Sequence, residues 1–283
     1  MTTFELGSAT AKGGFANEKA ICEKFNNWKN DNEAHVWLKI MGYDLKAINS
    51  VEAVQIPTRM KREDAEKLGL KESFEELMKF KKTDAQVRIK IVIGKIIKIE
   101  NLSLKKVTIR KSKETSGFNQ VDKRWVDTYQ QIWHFDNDVT YGLKLFTGEL
   151  KPPKEIMTKV KLRDKRRVYL DELPGQLRNK IVNFFTNNKI LVVSDILKGR
   201  GGLSASWMLV TRYDEMQNTT TWMLKDINTA MNFFGYGDVF ITEQGSLHIG
   251  RITMQRKGGT PDPTKLQFKI KPCQLFELEK LNE

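Results

Sequence analysis

Apolar residues return at helical spacing between Ala11 and Asp31, where Phe15, Ile21, Cys22, Phe25 and Trp28 fall on one side of a predicted helix. A second short helix carries Trp37, Leu38 and Met41 and is stopped by Gly42. Residues 61–82 are dense in charge, partly helical in pattern, and read as a surface insertion rather than core. The period then drops to two. Val87, Ile89 and Ile91 line one face of a strand from Asp84 to Ile93, and a partner strand runs from Lys95 to Lys106. The Gly94–Lys95 break predicts the turn of a hairpin between them. Residues 118–135 and 173–187 read as helices, with Pro152 and Pro153 in a link between them. Short strands are predicted at 189–193, 205–213, 219–224, 247–255 and 265–270, with a helix near 225–234. The result is an α/β chain, α+β in its mixture, that changes character near residue 150 and divides into 1–150 and 151–283.

Charge narrows the partner. The 283 residues hold 48 Lys and Arg against 35 Asp and Glu, a formal net charge of +13. An excess of this size favours a polyanion, because each neutralised phosphate releases condensed counterions. No apolar run reaches the ~20 residues of a membrane span. The opening MTTFELGSATAKGG lacks the basic-then-apolar layout of a signal peptide. Cys22 and Cys273 are too few for a disulfide framework or a structural zinc site. A reduced, cytoplasmic protein is expected.

The candidate chemistry sits on the hairpin. Counting by twos, Asp84, Gln86, Arg88 and Lys90 share one face of the first strand, and Asn101, Ser103 and Lys105 share one face of the second. Neighbouring strands therefore bring Asp84, Ser103 and Lys105 towards one end of a sheet. A carboxylate there suits a hard divalent cation such as Mg2+, whose remaining positions go to water and phosphate. A lysine orients the attacking water and faces the charge that grows on phosphorus. This layout resembles the PD-(D/E)XK nucleases, with Ser103 where the acidic residue usually stands. Glu100 lies on the opposite parity and is the weaker substitute.

A longer pattern points the same way. GFANEKAICEKFNNWK (14–29), GFNQVDKRW (117–125), FTGELKPP (146–153), DKRR (164–167), VSDILKGRGG (193–202), GRITMQRKGG (250–259) and LQFKIKP (266–272) follow one another in the chain. Together they resemble the small monomeric type II restriction endonucleases that cut GCGC, which are related to the CCGG-cutting enzymes. The resemblance covers most of the chain outside roughly 55–82. It implies a central mixed sheet with flanking helices in a catalytic part, 1–150, and a β-rich recognition part, 151–283. It also implies Mg2+, duplex DNA, a cognate DNA methyltransferase as functional partner, and a monomer. By the same resemblance Asp84 matches the metal-binding Asp, Lys105 the catalytic Lys, and Ser103 a position that relatives fill with an amide. Thr83 stands where relatives have a small polar residue. Glu18 either reaches the metal through water or is a solvated helix carboxylate. Phe118 and Gln120 match a wedge and contact element entering the duplex, with a staple at a helix start as the alternative reading of Phe118.

The C-terminal blocks suit base reading. GRITMQRKGG supplies Thr253, Gln255, Arg256 and Lys257, and LQFK supplies Gln267 and Lys269 on one face of a strand. Arg and Lys suit guanine O6 and N7, while Gln offers a donor and an acceptor. Gln267 and Lys269 are the stronger base-contact candidates; Arg256 and Lys257 suit bases or phosphates alike. The basic run from Lys159 to Arg167 reads as phosphate-facing or solvated. His35, His134 and His248 have no ligand spacing, and Gly7, Gly13 and Gly14 precede no Gly-Lys-Ser/Thr phosphate loop. Two function classes follow: a metal-dependent nuclease, or a non-catalytic sequence-specific DNA-binding protein whose Ser103 marks a decayed site.

Overall fold

The structure, a computed structural model, describes residues 17–57, 59–81, 86–109, 117–257 and 264–280. It separates into two compact units, each drawn from more than one stretch of chain. The first comprises Met1–Asn119, Leu197–Met231 and Lys271–Glu283; the second comprises Gln120–Ile196 and Asn232–Ile270. A cut at residue 150 does not follow this division. In the first unit β3 (Ile96–Ile109) pairs parallel with β5 (Trp207–Asp214). Parallel neighbours need a long crossover, and the first stretch of the second unit lies inside that crossover.

The first unit is built on a mixed five-stranded sheet in the order β1-β2-β3-β5-β6, with β1 Ser50–Gln55, β2 Gln86–Ile93 and β6 Thr219–Asp226. All its pairings except β3–β5 are antiparallel. The predicted hairpin is present, and Gly94 turns it at φ +57°, a conformation that costs glycine little. One face of the sheet is apolar. Val87, Ile89, Ile91, Leu102, Leu104, Leu209 and Leu224 are buried there with Ile21, Cys22 and Phe25 of α1 (17–26) and Trp37 and Leu38 of α2 (Asn32–Ile40). Burial pushes the Cys22 thiol up to about 12, helped by nearby Glu18, so it behaves as a packing residue.

Residues 61–81 correct the sequence reading. They form α3 (Arg62–Lys67) and α4 (Phe74–Phe80), and they are more than a surface insertion. Ala65 and Leu77 are buried with Ile56, Met60 and Leu203 in a second core, against which Leu68, Leu70 and Phe74 pack. The charge density conceals one apolar side.

The second unit holds a sheet ordered β4-β10-β9-β8-β7: β4 Asn119–Arg124, β7 Val239–Ile241, β8 Leu247–Ile249, β9 Ile252–Arg256 and β10 Leu266–Ile270. The predicted strand 247–255 is thus two strands separated by a turn. The predicted helix 118–135 is a strand followed by α5 (Val126–Trp133), then α6 (Asn137–Thr147) and α7 (Lys154–Lys159). The predicted helix 173–187 is present as α8 (Gly175–Asn187), whereas the predicted strand 189–193 is helical, in α9 (Lys189–Leu197). Val192, Val193 and Ile196 are buried while Ile190 is exposed, a period that a short β-branched run cannot reveal. Tyr129, Trp133, Phe135, Phe184, Phe185 and Phe268 form an aromatic core with centroids 4.6–6.5 Å apart. The predicted helix near 225–234 is present as α10 (Ile227–Gly235).

Candidate functional site

The second face of the β2–β3 hairpin is polar and buried. Gln86 pairs with Ser103 and Arg88 with Asn101, so these four side chains stand on one face in two adjacent rows. Lys105 continues the β3 row by parity. Exposure is 1% for Gln86, 5% for Asn101, 0% for Ser103 and 3% for Lys105. Buried polar groups persist only when bonded, and a loop supplies many of the partners. Asn101 donates from Nδ2 to the carbonyls of Gly202 (3.0 Å) and Ser204 (2.9 Å). Arg88 donates to Gly202 O (2.8 Å) and Asn101 Oδ1 (3.2 Å). Gln86 Nε2 donates to Leu203 O (3.0 Å). The Gly202 amide donates in turn to Glu72 Oε1 (2.5 Å). Burial lowers the Arg88 pKa and the nearby Glu72 carboxylate opposes that shift.

Glu18 is 6% exposed, in the first turn of the described part of α1. Its neighbour Asn17 accepts from Thr211 Oγ1 (3.2 Å), and Thr211 Oγ1 also bonds Lys105 O (3.4 Å). This end of α1 therefore lies against the middle of the β3–β5 pair, where Thr211 pairs with Lys106 on the parity of the apolar face. Glu100 is taken up elsewhere, accepting from Tyr43 OH (2.6 Å) and Trp207 Nε1 (2.9 Å). It belongs to the packing, as its parity suggested. Phe118 is 49% exposed just before β4, with Lys271 Nζ 5.1 Å from its ring centroid.

In the second unit, antiparallel pairing sets Gln255 opposite Gln267 and Thr253 opposite Lys269. Lys257 and Lys265 extend the two rows by parity, joined by Lys257 N to Lys265 O (3.1 Å). The sequence missed one neighbour. His248 pairs with Thr253, whose Oγ1 lies 3.3 Å from His248 Nε2, and the Phe240 ring lies 5.1 Å away. Only the strand pairing exposes that adjacency. Burial pulls the Lys269 ammonium down. Lys123 on β4 is lowered by burial first, then by Lys257 and Lys265.

The family model of the R.HinP1I restriction endonuclease matches residues 73–276. The chain belongs to that family. No curated protein matches it. As a restriction endonuclease it is a hydrolase whose partner is DNA, and the match spans both the polar hairpin face and the paired β9–β10 rows. Among the described residues no helix is long and apolar enough to cross a membrane.

Against the residues predicted for such an enzyme, the structure groups Ser103 with Lys105, and sets Glu18 on α1, the helix packed on the apolar face of the sheet. Asp84 and Thr83 lie outside the described residues. Gln120 stands on β4, a strand rather than the expected helix. Thr253, Gln255, Gln267 and Lys269 form one patch, with Lys257 beside it. Arg256 is separated from them. It points to the opposite face, 7% exposed, 3.7 Å from Asp164. Asp164 also binds Arg166 (2.9 Å) and Arg167 (3.5 Å). Arg163 of the same basic run pairs with Glu172 (3.0 Å) and Asp171 and stacks on Tyr169. The arginines of this run thus form ion pairs within the fold, although Arg163 and Arg166 are exposed, as are Lys159, Lys161 and Lys165.

Proposed function

We propose that this restriction endonuclease is a type II enzyme that hydrolyses duplex DNA at GCGC in a Mg2+-dependent reaction. The observation that carries the reading is the family match across residues 73–276, which embraces the buried Ser103–Lys105 row and the Gln255–Gln267 and Thr253–Lys269 pairs.

The donors suit a hard cation. Ser103 and Gln86 offer neutral oxygens on one buried face, Glu18 is a buried carboxylate on α1, and Asp84 precedes Gln86 by two positions, the spacing of one strand face. Asp84 would hold Mg2+ directly, and Glu18 would hold it through water. When bound, Mg2+ supplies charge stabilisation at the phosphate and lowers the pKa of water. Lys105 orients the attacking water through Nζ and faces the negative charge gathering on the phosphate oxygens. Its near-complete burial keeps bulk water from screening that charge. In the second unit, Gln267, Gln255, Lys269 and Thr253 contact base edges, with Lys257 at the border of bases and phosphates. Phe118 and Gln120 act as the wedge and contact element. The protein works as a monomer beside a cognate methyltransferase in the cytoplasm.

Purified protein incubated with plasmid and Mg2+, with and without chelator, tests this. Discrete fragments whose sequenced ends fall at GCGC, abolished by chelation, are expected. A salt-sensitive gel shift with no cleavage overturns it in favour of the non-catalytic DNA-binding protein.

A further inference from the structure

Ser103 leaves a chemical deficit. Its hydroxyl sits one bond from Cβ, is neutral, and occupies the position where the resemblance places a longer oxygen donor. The strand partner offers what Ser103 lacks. Gln86 is 1% exposed and directly opposite Ser103 across the antiparallel pair. Paired residues on one face hold their Cβ atoms ~4.5–5.5 Å apart. A glutamine carries its amide two carbons beyond Cβ, so it spans the space above a serine.

The amide orientation is fixed by its neighbour. Leu203 O can only accept, so the Gln86 atom that bonds it at 3.0 Å must be the nitrogen. Leu203 is itself 1% exposed within the second core, which anchors that carbonyl. The other amide atom, Gln86 Oε1, is buried and accepts no hydrogen bond among the described residues. A buried acceptor left without a donor is rare and calls for an explanation. Amide carbonyls are ordinary ligands of hard divalent cations.

We infer that Gln86 is a metal ligand: its Oε1 replaces, from the neighbouring strand, the oxygen that Ser103 is too short to provide. This rests on the nuclease reading above. The Gln86 carbonyl would hold the cation, and the Ser103 hydroxyl opposite it would bond a water in the cation's shell. Leu203 and the 200–204 loop are then positioning elements, because they turn the oxygen of Gln86 rather than its nitrogen to the metal.

Mn2+ as a probe, titrated by electron paramagnetic resonance into the whole protein with a GCGC duplex, tests the assignment. Gln86→Met keeps the volume and removes the oxygen, and it should weaken Mn2+ binding by at least about tenfold, the loss seen even for groups that only orient a ligand. Gln86→Glu should tighten Mn2+ binding although it removes the donor to Leu203 O, so metal-free melting temperature and metal affinity move in opposite directions. A packing role predicts that both fall. Ser103→Asp placed on Gln86→Met should restore Mn2+ affinity, since the two positions face each other. Wild-type affinity in folded Gln86→Met, or no tightening in Gln86→Glu, overturns the assignment while wild-type plasmid cleavage leaves the nuclease reading standing. If Gln86→Met fails to fold, Gln86→Glu alone decides. Wild-type protein that neither binds Mn2+ nor cleaves plasmid overturns both readings.

Discussion

Single side chains in this endonuclease separate into those that hold the fold and those proposed to act on DNA. Lys105 is a buried cation on the polar face of β3. Lys105→Ala should lower the cleavage rate by roughly 100-fold or more, the scale of removing one preorganised electrostatic group. Asp84→Asn should do likewise, and both variants should still bind the cognate duplex in Ca2+. Near wild-type cleavage by either variant would show that the centre lies elsewhere. On the paired rows, Gln267→Ala should weaken specific binding by ~1–3 kcal/mol and leave random-duplex affinity nearly unchanged. Equal losses on both duplexes would mean that Gln267 does not read bases. Lys123 behaves differently. Its lowered pKa arises from burial and then from Lys257 and Lys265, so the folded protein surrenders that proton more readily than the unfolded chain. Stability then rises as pH climbs through the lowered value and levels off above the ordinary lysine range. Lys123→Met should therefore raise the melting temperature at neutral pH and flatten its alkaline rise. It should also weaken DNA binding and reduce the salt slope by about one. A lower melting temperature would contradict the like-charge account.

Elements show what the amino-acid pattern reveals and what it conceals. The β2–β3 hairpin was legible because Val87, Ile89 and Ile91 alternate with polar residues and Gly94 marks the turn. The same alternation put Ser103 and Lys105 on one face before any pairing was known. The role of 61–81 was not legible, because Ala65 and Leu77 are scattered among charges and meet their partner Leu203 far along the chain. The helical course of 189–197 was hidden by Val and Ile, which suit strands until packing selects the period. The turn at 250–251, hidden inside what reads as one strand, also placed His248 beside Thr253, and parity along β9 turned Arg256 away. The 200–204 loop is of this kind, since three side chains of the hairpin bind its carbonyls. Asn101→Ala strips donors from two of those carbonyls and an acceptor from Arg88. It should cost ~1–3 kcal/mol, the usual penalty for stranding a buried polar group. Denaturant unfolding of the variant measures it, and a change under ~0.5 kcal/mol, the range of ordinary surface substitutions, would show that the loop is not held this way.

The whole molecule carries a net charge of +13 and one copy of the Ser103–Lys105 row. The charge brings any duplex to the protein, with an affinity that falls steeply with salt, while the paired glutamines and lysines are proposed to select among sequences. One centre addresses one scissile phosphate at a time. A palindromic GCGC site presents two, related by a two-fold axis that a monomer lacks. A monomer acting at GCGC, as proposed, must then cut one strand, turn about on the site or dissociate, and cut the other. Supercoiled plasmid should pass through a nicked circle before the linear form appears, and the nicked form should accumulate when Mg2+ is limiting. A dimer with two centres would instead linearise within one encounter, with a rate that rises with the square of protein concentration while dimerisation limits it. Methylating the internal cytosine of GCGC places a methyl group in the major groove, where Gln267 and Lys269 are proposed to read base edges, and should block both cuts. A time course that moves from supercoiled to linear with no nicked intermediate removes the monomer, and fragment ends at another sequence remove GCGC while leaving the nuclease in place.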